Sequence, residues 1–261
     1  MILVKLPLDK GHYISAASDD GTIDIQLENI RENMKILFLA DEEEKSLYEF
    51  FDPQRLEGVD LIISCGDLSR HYLEYIVTMA RCPLLYVRGN HDRRYTQEPP
   101  EGCIDIDDKI YDYKGLRILG LGGSMRYHDG SDMYTESEMK KRVGKLKSYI
   151  ALRNGIDILV THAPAKGYGD QEDLPHRGFE TFNTLLYTWH PKYMVHGHIH
   201  RTYGSNFVQE MDHPSGTKII NAYSSYYLDF ADDDHPEQGK TGSTLYDLYM
   251  GMQQLKRKKY Q

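Results

Sequence analysis

The chain has 261 residues, which is enough for one large domain or two small ones. Its hydrophobic content of 40% permits a substantial core, and 21 tyrosines add ring area while each keeps a polar end. The net charge of -9 excludes a general nucleic-acid binder, because phosphate backbones require clustered lysine and arginine. Residues 1–8 are interrupted by Lys5 and Pro7 and are too short for a signal peptide, and no apolar run approaches the length of a membrane span. Three scattered cysteines favour reduced thiols in a cytoplasmic protein.

The predicted elements begin with short strands over residues 1–27, with a turn at 19–22, and we expect this segment to add an edge to the main sheet. The predicted buried strands cover 35–39, 61–64, 84–87, 156–160 and 193–196. The predicted helices cover 45–51, 71–80, 135–152 and 179–188. A hairpin is expected over 104–121, and residues 218–229 are rich in strand formers. Strands alternate with helices early in the chain and hairpins dominate later, which predicts an α/β fold with two mixed sheets packed face to face and helices outside.

The pattern is clearest for the helix over 135–152. Thr135 stands three residues before Glu138, which is the spacing of a capping box. Apolar residues then recur at helical spacing and predict a core stripe formed by Met139, Val143, Leu146 and Ile150.

We expect one domain over 1–261, with residues 1–34 as an N-terminal strand extension. Residues 232–243 are acidic and contain glycine and proline, which predicts a mobile loop. Residues 250–261 form a basic tail with its lysines at 256–259; we interpret it as solvated, with an acidic partner as the alternative.

Five short segments with metal-ligand chemistry each follow a predicted strand. They are Ala40-Asp41-Glu42-Glu43, Gly66-Asp67, Gly89-Asn90-His91-Asp92, Thr161-His162-Ala163-Pro164 and Gly197-His198-Ile199-His200. Strands that all end in carboxylate, amide or imidazole gather these groups along one edge of the sheet, where open α/β sheets place their active sites. The sequence therefore predicts a metal centre at that edge.

The residue types define the chemistry of such a centre. Asp, Asn and His suit divalent ions of intermediate hardness, and the absence of cysteine from the set argues against a structural zinc site. Asp67 has two oxygens with which to bridge two ions, and His198 and His200 share a face in extended chain. Two ions about 3.5–4 Å apart form the usual clamp for displacement at phosphorus.

On these segments, the chain resembles the calcineurin-like metallophosphoesterases over about residues 35–200, extending to about 221. Their pattern is Asp-x-His, Gly-Asp, Gly-Asn-His-Asp/Glu, a later His, and Gly-His-x-His. The stretch 116–139 is similar to a small uncharacterised branch of that family. The resemblance implies a four-layer α/β/β/α sandwich, which agrees with the element order above.

The resemblance also implies a dinuclear metal centre. The first ion would take Asp41, the residue at position 43, Asp67 and His200. The second would take Asp67, Asn90, His162 and His198. By the same resemblance, a metal-bound hydroxide would attack phosphorus and His91 would protonate the leaving oxygen or donate to the phosphate. We interpret Asp92 as the partner that orients His91.

Glu43 departs from the family pattern, which has histidine at that position. Glu43 would ligate in place of the imidazole, or turn away and leave the first site weak, or mark a protein that has lost catalysis and kept the fold for binding. In the first case a third carboxylate lowers the charge of a two-ion site from plus two to plus one. That change predicts manganese, with magnesium, iron, nickel and zinc as alternatives, and an alkaline-shifted rate profile.

Substrate contacts are expected from loops near the strand ends, where arginine can offer a planar fork to phosphate oxygens. Arg126 lies on such a loop, as do Arg70, Arg93, Tyr127 and His128. His176 and Arg177 stand just before a predicted helix start, which is a natural anion site.

Two functional hypotheses follow. The first is a metal-dependent hydrolase that acts on a small phosphomonoester or phosphodiester, including a nucleotide-like one, without stable nucleic-acid binding and without a membrane. The second is a catalytically weakened member that serves as a metal- or nucleotide-binding scaffold.

Overall fold

The computed structural model describes residues 4–7, 13–17, 24–28, 33–201 and 207–231, with Leu245, Leu248 and Met252 beyond them. The predicted turn at 19–22, the predicted loop at 232–243 and the lysines at 256–259 lie outside the described residues. Within the described part of the chain, no helix is both long enough and apolar enough to cross a bilayer.

The chain divides into two units, one formed by residues 1–34 and 229–235 and the other by 35–228 and 236–261. In the first unit, three strands form an antiparallel sheet of their own in the order β1 (Val4–Pro7), β2 (Tyr13–Ala17), β3 (Asp24–Glu28). The expectation that this segment adds an edge to the main sheet is therefore wrong, because these strands pair with one another. A single domain over 1–261 stays a prediction.

The first of the two main sheets has five strands. They are ordered β16 (Ser224–Ala231), β4 (Asn33–Ala40), β5 (Leu61–Ser64), β6 (Leu84–Tyr86) and β7 (Ile104–Asp105). The run from β4 to β7 is parallel throughout. Both faces of β5 and β6 and of most of β4 are buried, which is why these strands read as continuous apolar runs.

The second main sheet has six strands. They are ordered β14 (Glu210–Asp212), β15 (Lys218–Asn221), β13 (Tyr193–His196), β12 (Ile158–Thr161), β9 (Leu116–Leu121) and β8 (Lys109–Tyr113). Four central strands are parallel, and the two edge strands are antiparallel to their neighbours. The predicted hairpin is confirmed as β8 and β9. A short parallel pair, β10 (Ser124–Met125) and β11 (Met133–Tyr134), stands apart from both sheets.

The outer faces of the two main sheets are covered by α1 (Arg70–Met79), α2 (Glu136–Leu152) and α3 (Glu180–Trp189). Helix α1 packs on the five-stranded sheet, whereas α2 and α3 pack on the six-stranded sheet. The capping box of Thr135 and Glu138 is present, and the predicted core stripe of α2 is buried. Between the sheets, Cys65 Sγ lies 3.8 Å from the Val195 carbonyl oxygen. The predicted α/β fold with two mixed sheets and flanking helices is confirmed.

The predicted helix over 45–51 is wrong. Only Lys45–Leu47 is helical, and it is a single turn of 3-10 helix. The Glu44 side chain accepts a hydrogen bond from the Ser46 amide and so caps the turn at its start. Pro53 then opens a separate short turn, and a residue that precedes proline avoids the α conformation.

Candidate functional site

The parallel strands of both sheets bring the predicted ligand residues to their carboxyl ends. Asp41 follows β4, Asp67 follows β5 after a two-residue turn, and His198 follows β13. All three adopt left-handed backbone conformations, with φ of 65°, 57° and 69°. Such conformations are costly for residues other than glycine and cluster at functional sites, where the surrounding structure enforces them.

Close packing requires glycine at two positions beside the predicted ligands. A β-carbon on Gly89 would lie 2.1 Å from Asp67 Oδ1, and one on Gly197 would lie 2.5 Å from Asp41 Oδ2. Any larger residue at either position would displace a ligand carboxylate. The glycine in each segment is therefore part of the site.

The tautomer of His162 is set by a backbone carbonyl. His162 is fully buried, and its Nδ1 lies 2.9 Å from the carbonyl oxygen of Cys65. Because a carbonyl only accepts, Nδ1 carries a proton, which leaves Nε2 as the atom that can hold a second proton or a metal ion. That Nε2 lies 3.2 Å from Asp67 Oδ2 and 3.1 Å from Asn90 Oδ1.

His198 is held in the opposite tautomer. Its Nε2 lies 2.8 Å from the Pro175 carbonyl oxygen, so Nε2 carries the proton and Nδ1 keeps the lone pair. The His198 ring lies 4.9 Å from the His162 ring, centroid to centroid. Asp67, His162 and His198 each offer a ligand atom, and these atoms all lie within 4.8 Å of one another.

This donor set fits a cation. Asp67 Oδ2 and Asn90 Oδ1 both lie close to His162 Nε2. All three atoms carry lone pairs, and acceptors at such distances need a positive charge between them. Without a metal that charge is a proton: burial lowers the pKa of His162, but the Asp67 carboxylate outweighs burial and raises it overall. Burial and the charge of His162 lower the pKa of His198, which therefore stays neutral. Buried carboxylate, amide oxygen and neutral imidazole are the ligands of a divalent metal, and carbonyl partners of this kind commonly orient ligating histidines.

Asp41 and His200 form a second pair in the site. The Asp41 side chain is fully buried, and its two oxygens accept hydrogen bonds of 3.0 and 2.9 Å from the His198 amide. His200 Nε2 lies 3.4 Å from Asp41 Oδ1. The two residues assigned by resemblance to the first ion are thus adjacent.

The three consecutive glutamates after Asp41 differ in their contacts. Glu42 accepts a hydrogen bond from the Tyr223 hydroxyl, and Glu44 accepts one of 2.9 Å from the Ser224 hydroxyl. Glu43 is half-buried and makes no hydrogen bond or ion pair with any other described residue. Of the three glutamates, Glu43 is the one whose carboxylate has no hydrogen-bond partner among the described residues.

His91 and Asp92 take different positions. The His91 side chain is 74% exposed, with Nε2 4.0 Å from Asp67 Oδ2, and its amide donates to Asp67 Oδ1 at 2.8 Å. Asp92 is buried, and its Oδ2 accepts hydrogen bonds of 2.8 Å from the amides of Asp67 and Gly89. The expectation that Asp92 orients His91 is corrected: Asp92 holds the two turns that carry the ligands.

Two of the predicted substrate-binding residues have other partners. Arg126 pairs with Glu138 at 3.0 Å, where it supports the start of α2. Arg177 donates to the Glu172 carbonyl oxygen at 3.0 Å. Neither recorded contact is with a ligand residue.

His176 does lie beside the predicted ligands. Its ring is 5.4 Å from the His198 ring, and its Nδ1 is 2.7 Å from Asp173 Oδ2. It directly follows Pro175, whose carbonyl holds His198.

A buried ion network under the site escaped the sequence analysis. Asp107 accepts from Arg142 at 2.6 Å and from Arg88 at 3.1 Å, and Arg88 Nε lies 3.2 Å from Asp132. Arg142 also donates to the Gly122 carbonyl oxygen at 2.7 Å. Arg88 directly precedes the Gly-Asn-His-Asp segment, so the network anchors it. The one sequence signal was the polar Asp107-Asp108 pair, which gives no hint of partners about 35 residues away.

The chain is similar in sequence to known proteins. The sequence model for calcineurin-like phosphoesterases matches residues 24–202. A Caenorhabditis elegans UPF0046 protein is 44% identical over 104 residues, which is 39% of this chain and 25% of that protein. The human metallophosphoesterase domain-containing protein 1 is 22% identical over 193 residues, 59% of this chain and 58% of that protein. The chain thus spans less than two thirds of the length of both relatives.

Among solved structures, that of TT1561 from Thermus thermophilus has a TM-score of 0.50 at 13% identity. The match covers 74% of this chain and 90% of the Thermus protein. At this identity the likeness concerns the fold alone.

Proposed function

Because this chain belongs to the calcineurin-like phosphoesterase family, we propose that it is a metal-dependent hydrolase of small phosphoesters. The observation that carries the proposal is the convergence of ligand atoms from Asp67, His162 and His198 within 4.8 Å of one another, with Asn90 Oδ1 3.1 Å from His162 Nε2. Buried groups arranged in this way are suited to a divalent cation.

The residues divide into two ligand sets that share Asp67. One set is Asp67, Asn90, His162 and His198, whose ligand atoms lie around His162 Nε2. The other is Asp41, His200 and Asp67, with Glu43 as the added carboxylate. When bound, two divalent ions, manganese by our proposal, supply Lewis acidity at phosphorus and lower the pKa of bound water.

His91 would act as the acid for the leaving group. Its imidazole lies at the exposed rim, while its amide is fixed on Asp67. A general acid must be within hydrogen-bond reach of the oxygen it protonates, and a rim position meets a leaving group that points to solvent. His176 and Arg177 stay proposed substrate contacts, as does Arg126; of these, His176 is the one in contact with a predicted ligand.

The test is hydrolysis of p-nitrophenyl phosphate and bis-p-nitrophenyl phosphate by metal-stripped protein with and without added manganese. We expect turnover that requires metal, and the ratio of the two rates distinguishes monoester from diester preference. Asn90→Ala should abolish turnover, with circular dichroism as the check on folding.

A second variant separates chemistry from folding. His91→Ala removes an exposed side chain and should lower kcat by about 10²–10⁴-fold without loss of metal. His71→Ala is the matched control, because His71 is 79% exposed and lies on α1. Equal rates for the two variants would remove His91 from the mechanism.

Glu43 supports a second candidate, a scaffold that binds metal or nucleotide without turnover. It makes no bond within the described residues, so nothing observed commits it to the first ion. Folded protein that binds manganese but shows no turnover with manganese, iron, nickel or zinc would favour the scaffold.

A further inference from the structure

An open cleft is lined mostly by residues that follow the predicted proton donor, His91, closely in the sequence. It has a volume of about 460 Å³ and is lined by Arg93, Arg94, Thr96, Gln97 and Ser131. We call it the arginine cleft. Two of its lining residues are cationic. Of the others, Thr96 and Ser131 each carry a hydroxyl group and Gln97 carries an amide.

The two arginines of the arginine cleft are not neutralised by neighbours. Within the described residues, neither the Arg93 nor the Arg94 guanidinium has an ion pair, a hydrogen bond or a ring contact. Arg88 and Arg142, by contrast, are both paired with carboxylates. Two adjacent guanidinium groups offer planar forks for phosphate or carboxylate oxygens.

The arginine cleft lies close to the reacting centre because of chain connectivity. Arg93 is two residues after His91, and consecutive Cα atoms are about 3.8 Å apart, so their Cα atoms are within about 7.6 Å. Tyr95 fixes this short segment: its hydroxyl donates to the Leu68 carbonyl oxygen at 2.6 Å. The two arginines are therefore carried on an anchored turn.

The opposite wall is anchored to the same strand end. Ser131 precedes Asp132, whose Oδ1 lies 3.2 Å from Arg88 Nε. Arg88 in turn directly precedes Gly89, where the ligand segment begins. Ser131 is thus tied to the residue that leads into the site, and the two arginines follow the same segment in the chain.

We propose that the arginine cleft is a second anion subsite, which binds a phosphate or carboxylate group in the leaving portion of the substrate. The preferred substrate is then a phosphoester that carries a further anionic group. This inference rests on the proposed function, because the first anionic group is the one at the predicted metal ligands.

The test is isothermal titration calorimetry with manganese-loaded protein. The probes are alkylphosphonates, which carry one anionic group, and α,ω-alkane bisphosphonates of increasing chain length. Carbon–phosphorus bonds are not esters, so the probes are not consumed. The variants are Arg93→Gln/Arg94→Gln and, as control, Lys140→Gln/Lys141→Gln, which removes the same charge from an exposed adjacent pair on α2.

For the wild-type protein and the lysine control, we expect the best-matched bisphosphonate to bind about tenfold or more tightly than the alkylphosphonate. In Arg93→Gln/Arg94→Gln the two classes should bind equally, with alkylphosphonate affinity unchanged. Equal affinities in the wild-type protein, or an equal loss in both double variants, would overturn the proposal.

The outcomes also separate this inference from the proposed function. Turnover of p-nitrophenyl phosphate without any bisphosphonate preference would leave the hydrolase proposal intact and refute the subsite. Arginine-dependent bisphosphonate binding without turnover would support the subsite and refute the hydrolase proposal.

Discussion

The two buried histidines of the site are held in opposite tautomers by two backbone carbonyls. Cys65 fixes the proton on His162 Nδ1, and Pro175 fixes it on His198 Nε2. Each ring therefore keeps one nitrogen available for a metal, and neither ring has to change its tautomer when a metal binds.

At the residue scale, the sequence indicated the candidate ligands but carried no signal for the groups that orient them. Asp67, Asn90 and His198 stand in segments whose residue types and strand-end positions indicate metal binding. The carbonyls that orient the histidines carry no sequence signal, because every residue has one. Asp92 was misinterpreted for a related reason: its backbone partners are invisible to a pattern of side chains.

Glu43 gives the prediction at this scale. Glu43→His should raise affinity for zinc relative to manganese by about tenfold, because imidazole suits zinc and carboxylate suits harder ions. Calorimetric titration of metal-stripped protein with each ion measures the change. Glu49→His, an exposed position on the same segment, is the control. An unchanged ratio in Glu43→His would mean that position 43 does not ligate.

At the scale of elements, burial on both faces made the strands predictable. In β4, Leu37 and Leu39 pack toward α1, whereas Ile36 and Phe38 are buried on the opposite side. The short segment after β4 was not predictable in the same way. Its apolar residues suggested a helix, but local hydrogen bonds of Glu44 and a nearby proline stop it after one turn.

Two glycines give opposite predictions for the same substitution. Gly144 lies in α2 with no atom within 4 Å of an added β-carbon, so Gly144→Ala should stabilise the protein by about 0.5–1 kcal/mol. Gly89→Ala should abolish manganese binding, since the new carbon would collide with the Asp67 carboxylate. Urea unfolding and calorimetric titration measure the two effects. Retained metal binding in Gly89→Ala would contradict the close packing on which this rests.

At the scale of the whole molecule, the two main sheets bring together the predicted ligands that follow β4, β5, β6, β12 and β13. The strand order could be predicted only from the family resemblance. Strands that pair, such as β13 and β15, have similar hydropathy, so hydropathy alone does not indicate which strands are neighbours. The ion network of Asp107, Arg88 and Arg142 joins residues far apart in sequence, and no local pattern could have indicated it.

A site assembled from so many strands should link metal binding to global stability. Manganese at about one hundred times its dissociation constant should add about 2.7 kcal/mol to the free energy of unfolding, provided that the unfolded chain does not bind it. Thermal melting with and without metal gives the readout. Asp67→Asn should lose the shift, because both ligand sets include this carboxylate. A shift of equal size in that variant would mean that manganese binds elsewhere.

The contact between Pro175 and His198 also has a consequence for regulation. One carbonyl joins a surface turn to a ligand ring, so the position of the turn and the occupancy of the site share a coupling free energy. With His198 as a ligand, as proposed, displacing the turn would weaken metal binding, and by reciprocity a bound metal would restrain the turn by the same free energy. His176, the next residue, would report the state of the metal centre to any molecule that touches it.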